Sequence, residues 1–149
     1  MKIPLKIIEG LIFVNAVLIT PKYHIGLGQV EFLVDTGSSE TFISEGTAVK
    51  LNIPISKLPF EKHVKMAGST LELLKMSDIT LFFRNDENKS EKIELPFIHV
   101  MQSTKKDAQS RTAAQSYPSI LGTDFLLKNE FSLIFTPHKN VAYLERDLE

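Results

Sequence analysis

The amino-acid sequence predicts a mostly β fold in a single domain that spans residues 1–149. Many short β-prone segments follow one another along the chain, and turn residues such as Gly, Pro, Asn and Asp separate them. Two segments, residues 44–51 and 123–129, have the pattern of short helices. The hydrophobic share of 43% and the charged share of 23% are those of an ordinary globular chain that can bury a substantial core.

In the first half of the chain, apolar segments predict strands at residues 1–9, 11–19, 29–34 and 41–43. Pro4 has no amide to donate, so the first of these strands is expected at the edge of a sheet. Ser44 is the expected N-cap of the helix at residues 44–51. Residues 63–74 predict a hairpin around a turn at residues 67–69.

In the second half, strands are predicted at residues 76–83, 92–101, 131–135 and 140–144. Residues 102–118 form a polar insertion that is too poor in apolar side chains to bury much surface. This insertion is a long loop, a marginal surface helix or a disordered segment, and a solvated insertion is favoured over a loop that shapes a substrate site. Thr123 is the expected N-cap of the helix at residues 123–129.

Composition excludes several classes of function. The chain has 17 basic and 18 acidic residues, so no strong field attracts nucleic acid or an anionic membrane. Residues 11–19 are apolar but too short to span a bilayer. The absence of Cys excludes disulfides and thiolate chemistry and is compatible with the expected cytoplasmic location. The four histidines are spread singly, so we expect no metal site and no cofactor.

One carboxylate stands out because it ends an apolar strand. The segment Phe32-Leu33-Val34-Asp35-Thr36-Gly37-Ser38-Ser39 brings Asp35 to a strand end, where an ionisable group is costly unless the site uses it. Gly37 permits a tight turn after it. Asp-Thr-Gly is equally typical of a simple hairpin turn, so these three residues alone leave a turn and a catalytic loop open.

A second motif changes this balance. Ile120-Leu121-Gly122-Thr123-Asp124-Phe125-Leu126 follows the Asp-Thr-Gly loop and the hairpin in order. Together these three features resemble the single-lobe aspartic proteases of the retropepsin type over roughly residues 10–145. The resemblance implies a closed, barrel-like acid protease fold with a flap hairpin, a C-terminal helix and a further short helix.

The resemblance also implies a reaction. Aspartic proteases hold a water between two carboxylates that share one proton, and this chain has a single Asp-Thr-Gly. A homodimer of two Asp35 residues is therefore implied, acting on a peptide or an unfolded protein. Thr36 would bond across the two-fold axis, and Gly37 would present its N–H to the carboxylate. Ser38 would either donate to Asp35 or only satisfy the turn. Asp124 is better explained as a first-turn helix acid.

The flap implied by the resemblance covers residues 63–74, with Gly68 near its tip. It departs from retroviral flaps, because its tip is poorer in glycine. The implied substrate-contacting residues are Ser38, Met66, Ala67, Gly68, Ser69 and Ile120. Ile43 is a further candidate, although it and its apolar neighbours are equally ordinary as core. Residues 1–8 or 141–144 are the candidate strands for pairing with a second subunit.

A different class of function stays open. A β-lined groove can bind extended peptides with or without cleavage, so a catalytically weak or inactive dimerising module is the alternative. The intact Asp-Thr-Gly favours the enzyme, because a binding module has little need of that carboxylate. A serine hydrolase is disfavoured, since the chain has no Gly-x-Ser-x-Gly elbow.

Overall fold

The computed structural model describes residues 1–23, 25–66, 68–105 and 107–147. Within these residues the strands are β1 (Lys2–Pro4), β2 (Lys6–Ile8), β3 (Leu11–Thr20), β4 (Ile25–Val34), β5 (Phe42–Ile43), β6 (Phe60–Met66), β7 (Ser69–Arg84), β8 (Ser90–Ser103), β9 (Ser119–Leu121), β10 (Ser132–Thr136) and β11 (Val141–Glu145). The α-helices are α1 (Glu45–Lys50), α2 (Ala108–Gln115) and α3 (Thr123–Lys128). The prediction of a mostly β fold is confirmed.

Six strands close into a barrel. The order β3-β4-β9-β5-β8-β7 returns to β3, because β3 pairs with β7 as well as with β4. The alternation of buried and exposed positions along β3 places Val14, Ala16 and Leu18 in the interior. Because a period of two directs alternate side chains to the same face, this apolar set faces the core while its neighbours face outward.

The two ends of the chain form a separate three-stranded sheet in the order β1-β11-β10. Ile3 on β1 is paired with Leu144 on β11, and both side chains are fully buried. The amino group of Met1 donates to the carbonyl of Arg146 at 3.0 Å. Since β11 has a neighbour on each side, it has no open edge, and of the two candidate pairing segments only residues 1–8 keep one.

The buried apolar side chains form two groups. The larger group includes Val30, Phe32 and Leu81 of the barrel and extends to Ile3 and Leu144 of the terminal sheet. The smaller group, here called the flap-side cluster, lies between the β6–β7 hairpin, β9 and α2. Its buried members are Phe42, Leu71, Leu73, Met101, Ala114 and Ile120. Leu33, Val64, Met66 and Tyr117 pack against it.

Several element boundaries differ from the prediction. Residues 1–9 form two strands, because the chain leaves β11 at Leu5 and pairs with β3 instead. The strand predicted at residues 76–83 is the continuation of the hairpin strand, so that β7 runs unbroken for 16 residues. The reason is a change of partner: β6 pairs with the first part of β7, and β3 pairs with the last part.

The remaining differences concern caps and the polar insertion. Gly122, rather than Thr123, is the N-cap of α3, because Thr123 already lies inside the helix. Ser44 caps α1 as predicted, since its side chain accepts from the amide of Thr47. Of the three alternatives for residues 102–118, the structure has the surface helix: α2 follows the end of β8 in this range, and Asp107 caps it. No helix in the described ranges is long and apolar enough to cross a membrane.

Candidate active site

Asp35 lies directly after β4, which the parallel neighbour β9 holds in register. Val34 is opposite Leu121, and the amide of Asp35 donates to the carbonyl of Leu121 at 3.1 Å. The Gly37 amide donates to Oδ1 of Asp35 at 2.8 Å, as the resemblance implies. Asp35 is half-buried, whereas Thr36 and Gly37 are exposed. The loop therefore presents its carboxylate and its turn toward the outside of the barrel.

The back of this loop packs against the start of α3. A Cβ on Gly122 would lie 2.6 Å from the Glu40 carbonyl oxygen and 2.7 Å from that of Ser38, so a glycine is required at this position. The amide of Thr123 donates to the Ser38 carbonyl at 2.9 Å. These contacts fix the position of the loop relative to the second motif.

A hydrogen-bond network that is buried at Thr41 and Gly122 completes this support. The Thr41 hydroxyl accepts from the amide of Gly122 at 2.9 Å and donates to Oδ1 of Asp124 at 2.6 Å. The amide of Thr41 donates to Oδ2 of Asp124 at 3.1 Å, and the amide of Phe125 donates to Oδ1 at 2.8 Å. Asp124 is in the first turn of α3, as predicted, and it additionally holds the end of the Asp35 loop.

Ser38 takes the second of its two predicted roles. Its hydroxyl donates to the carbonyl of Glu40 at 2.8 Å and accepts from the amide of the same residue at 3.3 Å. The donation to Asp35 is therefore wrong for this structure, because the hydroxyl proton is used within the turn.

Glu40 connects the loop to the flap hairpin and to β8. Lys62 on β6 donates to one Glu40 oxygen, and Nδ1 of His99 on β8 lies 3.5 Å from the other. His99 is buried, and its Nε2 has no hydrogen-bond partner among the described residues. Burial lowers the pKa of His99 below its usual value of 6.5, although the charge of Glu40 acts in the opposite direction.

The flap hairpin consists of β6 and the first part of β7, and Met66 and Ser69 are its last pair. Gly68 has a φ of +78° at the exposed tip, a conformation that favours glycine. Met66 packs against the flap-side cluster. Ala67, the remaining predicted flap residue, lies outside the described residues.

Ile120 and Ile43 occupy different environments. Ile120 is buried in the flap-side cluster, opposite Leu33 in the parallel register of β9 and β4. Ile43 is fully buried in the larger core group, so its candidacy as a pocket residue is wrong, because no surface remains to contact a substrate. In the part of the chain that the structure describes, no group of three or more His, Asp or Glu side chains is placed to hold a metal ion.

The comparisons with known proteins agree with this geometry. A family model described as "gag-polyprotein putative aspartyl protease" matches residues 22–128, which include both motifs and the flap hairpin. The chain belongs to this aspartyl protease family. A comparison with curated proteins gives no match.

The fold of this aspartyl protease family member is also found in a solved structure. It is similar to the "Crystal structure of a retropepsin-like aspartic protease from Rickettsia conorii", with a TM-score of 0.59 and 19% sequence identity. The match covers 96% of each chain. At this identity the likeness shows the fold alone, and the retropepsin-like fold implied by the two motifs is confirmed.

Proposed function

We propose that this chain is a homodimeric aspartic endopeptidase in which Asp35 of two subunits activates one water molecule. The observation that carries the proposal is the presentation of Asp35: its backbone is held by Leu121, and its carboxylate accepts from Gly37. The exposed turn beside it leaves room for a second copy of the same loop. Because the sequence holds a single Asp-Thr-Gly, a second carboxylate of this type requires a second chain.

The proposed chemistry follows from two carboxyl groups held about 3 Å apart, which cannot both ionise easily. One group stays protonated and donates to the carbonyl oxygen of the scissile peptide bond. The other takes a proton from the water as it attacks the carbonyl carbon. The pair titrates as a unit, so neither proton belongs to one subunit. The substrate is a peptide or an unfolded protein, and the step uses no cofactor.

Thr36 and Gly37 have supporting roles in this proposal. The Gly37 amide stabilises the charged form of the carboxylate, because a hydrogen bond to an ionised acceptor is stronger than one to a neutral group. The exposed Thr36 hydroxyl is free to bond to the loop of the second subunit. The flap, with Met66, Ala67, Gly68 and Ser69, covers the peptide and excludes water. Ser38 shapes the turn beside the carboxylate, and the buried Ile120 supports the floor of the site from the flap-side cluster.

The first experiment tests catalysis. Asp35→Asn keeps the size of the side chain but removes the acid, so cleavage of an unstructured protein between pH 3 and pH 7 should fall to background. The matched control is Asp86→Asn, which changes an exposed aspartate in the turn between β7 and β8 and should leave cleavage unchanged. Circular dichroism should show the same fold for both variants. An Asp35→Asn protein that still cleaves would exclude this carboxylate as the catalytic group.

The second experiment tests assembly. Sedimentation of the wild type should show a dimer at concentrations where cleavage occurs, and the activity per chain should fall on dilution. A strict monomer that cleaves peptides would contradict the shared pair of carboxylates. A dimer that binds extended peptides but cleaves none between pH 3 and pH 7 would instead support the peptide-binding module.

A further inference from the structure

A pocket with a volume of about 620 Å³ lies between the flap tip and α2. Gly68, Ser69 and Thr70 line it on the flap side, and Ala113 and Ala114 line it on the helix side. The polar insertion therefore forms one wall of a concave site. A volume of this size can hold a segment of a peptide.

This pocket adjoins the flap-side cluster. Leu71, Ala114 and Tyr117 line the pocket and also belong to, or pack against, the flap-side cluster. The same cluster contains Ile120, which is paired with Leu33, two residues before Asp35. Because the flap tip lines the pocket, a peptide held under the flap tip would lie next to it.

The lining is rich in hydroxyl groups and carries balanced charge. The Ser69 and Thr70 hydroxyls have no protein partner within the described part of the chain, and Thr104 already donates to the carbonyl of Thr70 at 2.9 Å. Lys105 and Asp107 contribute opposite charges. Neither an acidic nor a basic side chain gains a net attraction from such a pair, whereas an uncharged polar group can bond to the available hydroxyls.

Asp107 keeps its negative charge in this lining. Its carboxylate accepts from the amide of Ser110 at 2.8 Å and from the Ser110 hydroxyl at 2.9 Å. These two hydrogen bonds lower the pKa of Asp107, so the carboxylate stays ionised and offsets the charge of Lys105.

We propose that the pocket between the flap tip and α2 receives an uncharged amide or hydroxyl side chain of the substrate and so determines part of the cleavage specificity. The proposal rests on the protease function proposed above, and it makes the polar insertion a specificity element. The occupant is Asn, Gln, Ser or Thr at one position near the scissile bond.

The test begins with the cleavage sites of the wild-type dimer in an unfolded protein, identified by mass spectrometry. Peptides around one site then carry Gln, Glu, Lys, Leu or Ala at each flanking position. At one position we expect Gln to exceed Leu, Glu and Lys in kcat/KM by about tenfold, since a polar pocket rejects side chains that leave its hydroxyls unpaired. Equal rates at every position would overturn the proposal while leaving the protease intact.

Two matched variants locate the preference in this pocket. Ala113→Leu fills the pocket from an exposed helical position, and Thr112→Leu makes a similar change one residue away, outside the lining. Ala113→Leu should lower kcat/KM for the Gln peptide about tenfold and leave kcat/KM for the Ala peptide unchanged. Thr112→Leu should change neither value. Thr70→Val should reduce the preference for Gln over Leu. If Ala113→Leu and Thr112→Leu show the same kcat/KM values across the set of peptides, the pocket does not receive a substrate side chain.

A binding measurement separates failure of this inference from failure of the protease. Fluorescence anisotropy of Asp35→Asn with labelled extended peptides, each carrying Gln, Glu, Lys, Leu or Ala at one position, requires neither turnover nor a known cleavage site. A preference for Gln that Ala113→Leu abolishes in this assay supports the pocket even if the wild type cleaves nothing. If Gln is preferred neither in binding nor in cleavage, the proposed role of the pocket is wrong.

Discussion

Replacing Gly122 with alanine tests the contact that holds the Asp35 loop. The new Cβ would lie 2.6 Å from the Glu40 carbonyl oxygen, and ordinary contact begins at 3.4 Å, so the loop backbone must retreat by about 0.8 Å. Overpacking against backbone costs about 1–3 kcal/mol, and the lower entropy of the unfolded alanine chain offsets about 0.4–1 kcal/mol. We expect a net loss of about 1–2 kcal/mol in the free energy of unfolding.

The expected functional effect of Gly122→Ala is larger than its effect on stability. A displacement near 1 Å at a catalytic group can reduce a rate about 100-fold, so kcat should fall far more than the folded fraction does. Urea denaturation and peptide cleavage measure the two effects. Gly28→Ala is the control, because the atoms nearest to its Cβ would be those of the flexible Leu51 side chain, at 3.0 Å, which can move aside. Similar behaviour of the two variants would refute the requirement for close backbone packing.

Two further substitutions test groups around the loop. Thr41→Val leaves the buried amide of Gly122 without its acceptor and should cost about 1–3 kcal/mol in urea denaturation; a change under 0.5 kcal/mol would contradict the network. The pKa of His99 is lower in the folded protein than its usual value of 6.5, so the unfolded chain takes up a proton first as the pH falls. The free energy of unfolding of the wild type should therefore decrease below about pH 6.5 and level off once His99 is also protonated in the folded protein. His99→Gln should make this decrease shallower, whereas the exposed control His138→Gln should not. If the free energy of unfolding of both variants falls equally steeply with pH, His99 is not its cause.

Much of the fold could be predicted because its signals are local. Alternation along β3, turn residues between strands and the Ser44 cap each involve neighbouring residues, and each appears in the structure. The continuous strand β7 was not predicted, because its length depends on two partners, β6 and β3, that lie far apart in the sequence. For the insertion, a surface helix was one of three open alternatives, and the local Asp107-x-x-Ser110 cap is the signal that would have selected it.

In the candidate site, too, local features could be predicted and contacts between distant residues could not. Asp35 and the Gly37 amide follow from a motif of three adjacent residues, and the structure joins them by a hydrogen bond. Asp124 was placed in the first turn of a helix, but its bond to Thr41 spans 83 positions and has no sequence signature. The contact of Glu40 with His99 likewise depends on the folding of β8 beside the loop. Sequence patterns therefore identify the reacting group more readily than the groups that position it.

The positions of these supporting groups bear on how a dimer could form. The contacts that fix the Asp35 loop come from Leu121, Gly122, Thr123 and Asp124 of the same chain. In the proposed dimer the loop would consequently be held by its own chain before association, with only its exposed turn uncovered. Ordering a mobile loop on association would reduce the binding free energy, whereas joining two preformed loops does not. The second motif supplies no catalytic acid in this proposal; it prepares the single acid of each chain to meet its counterpart.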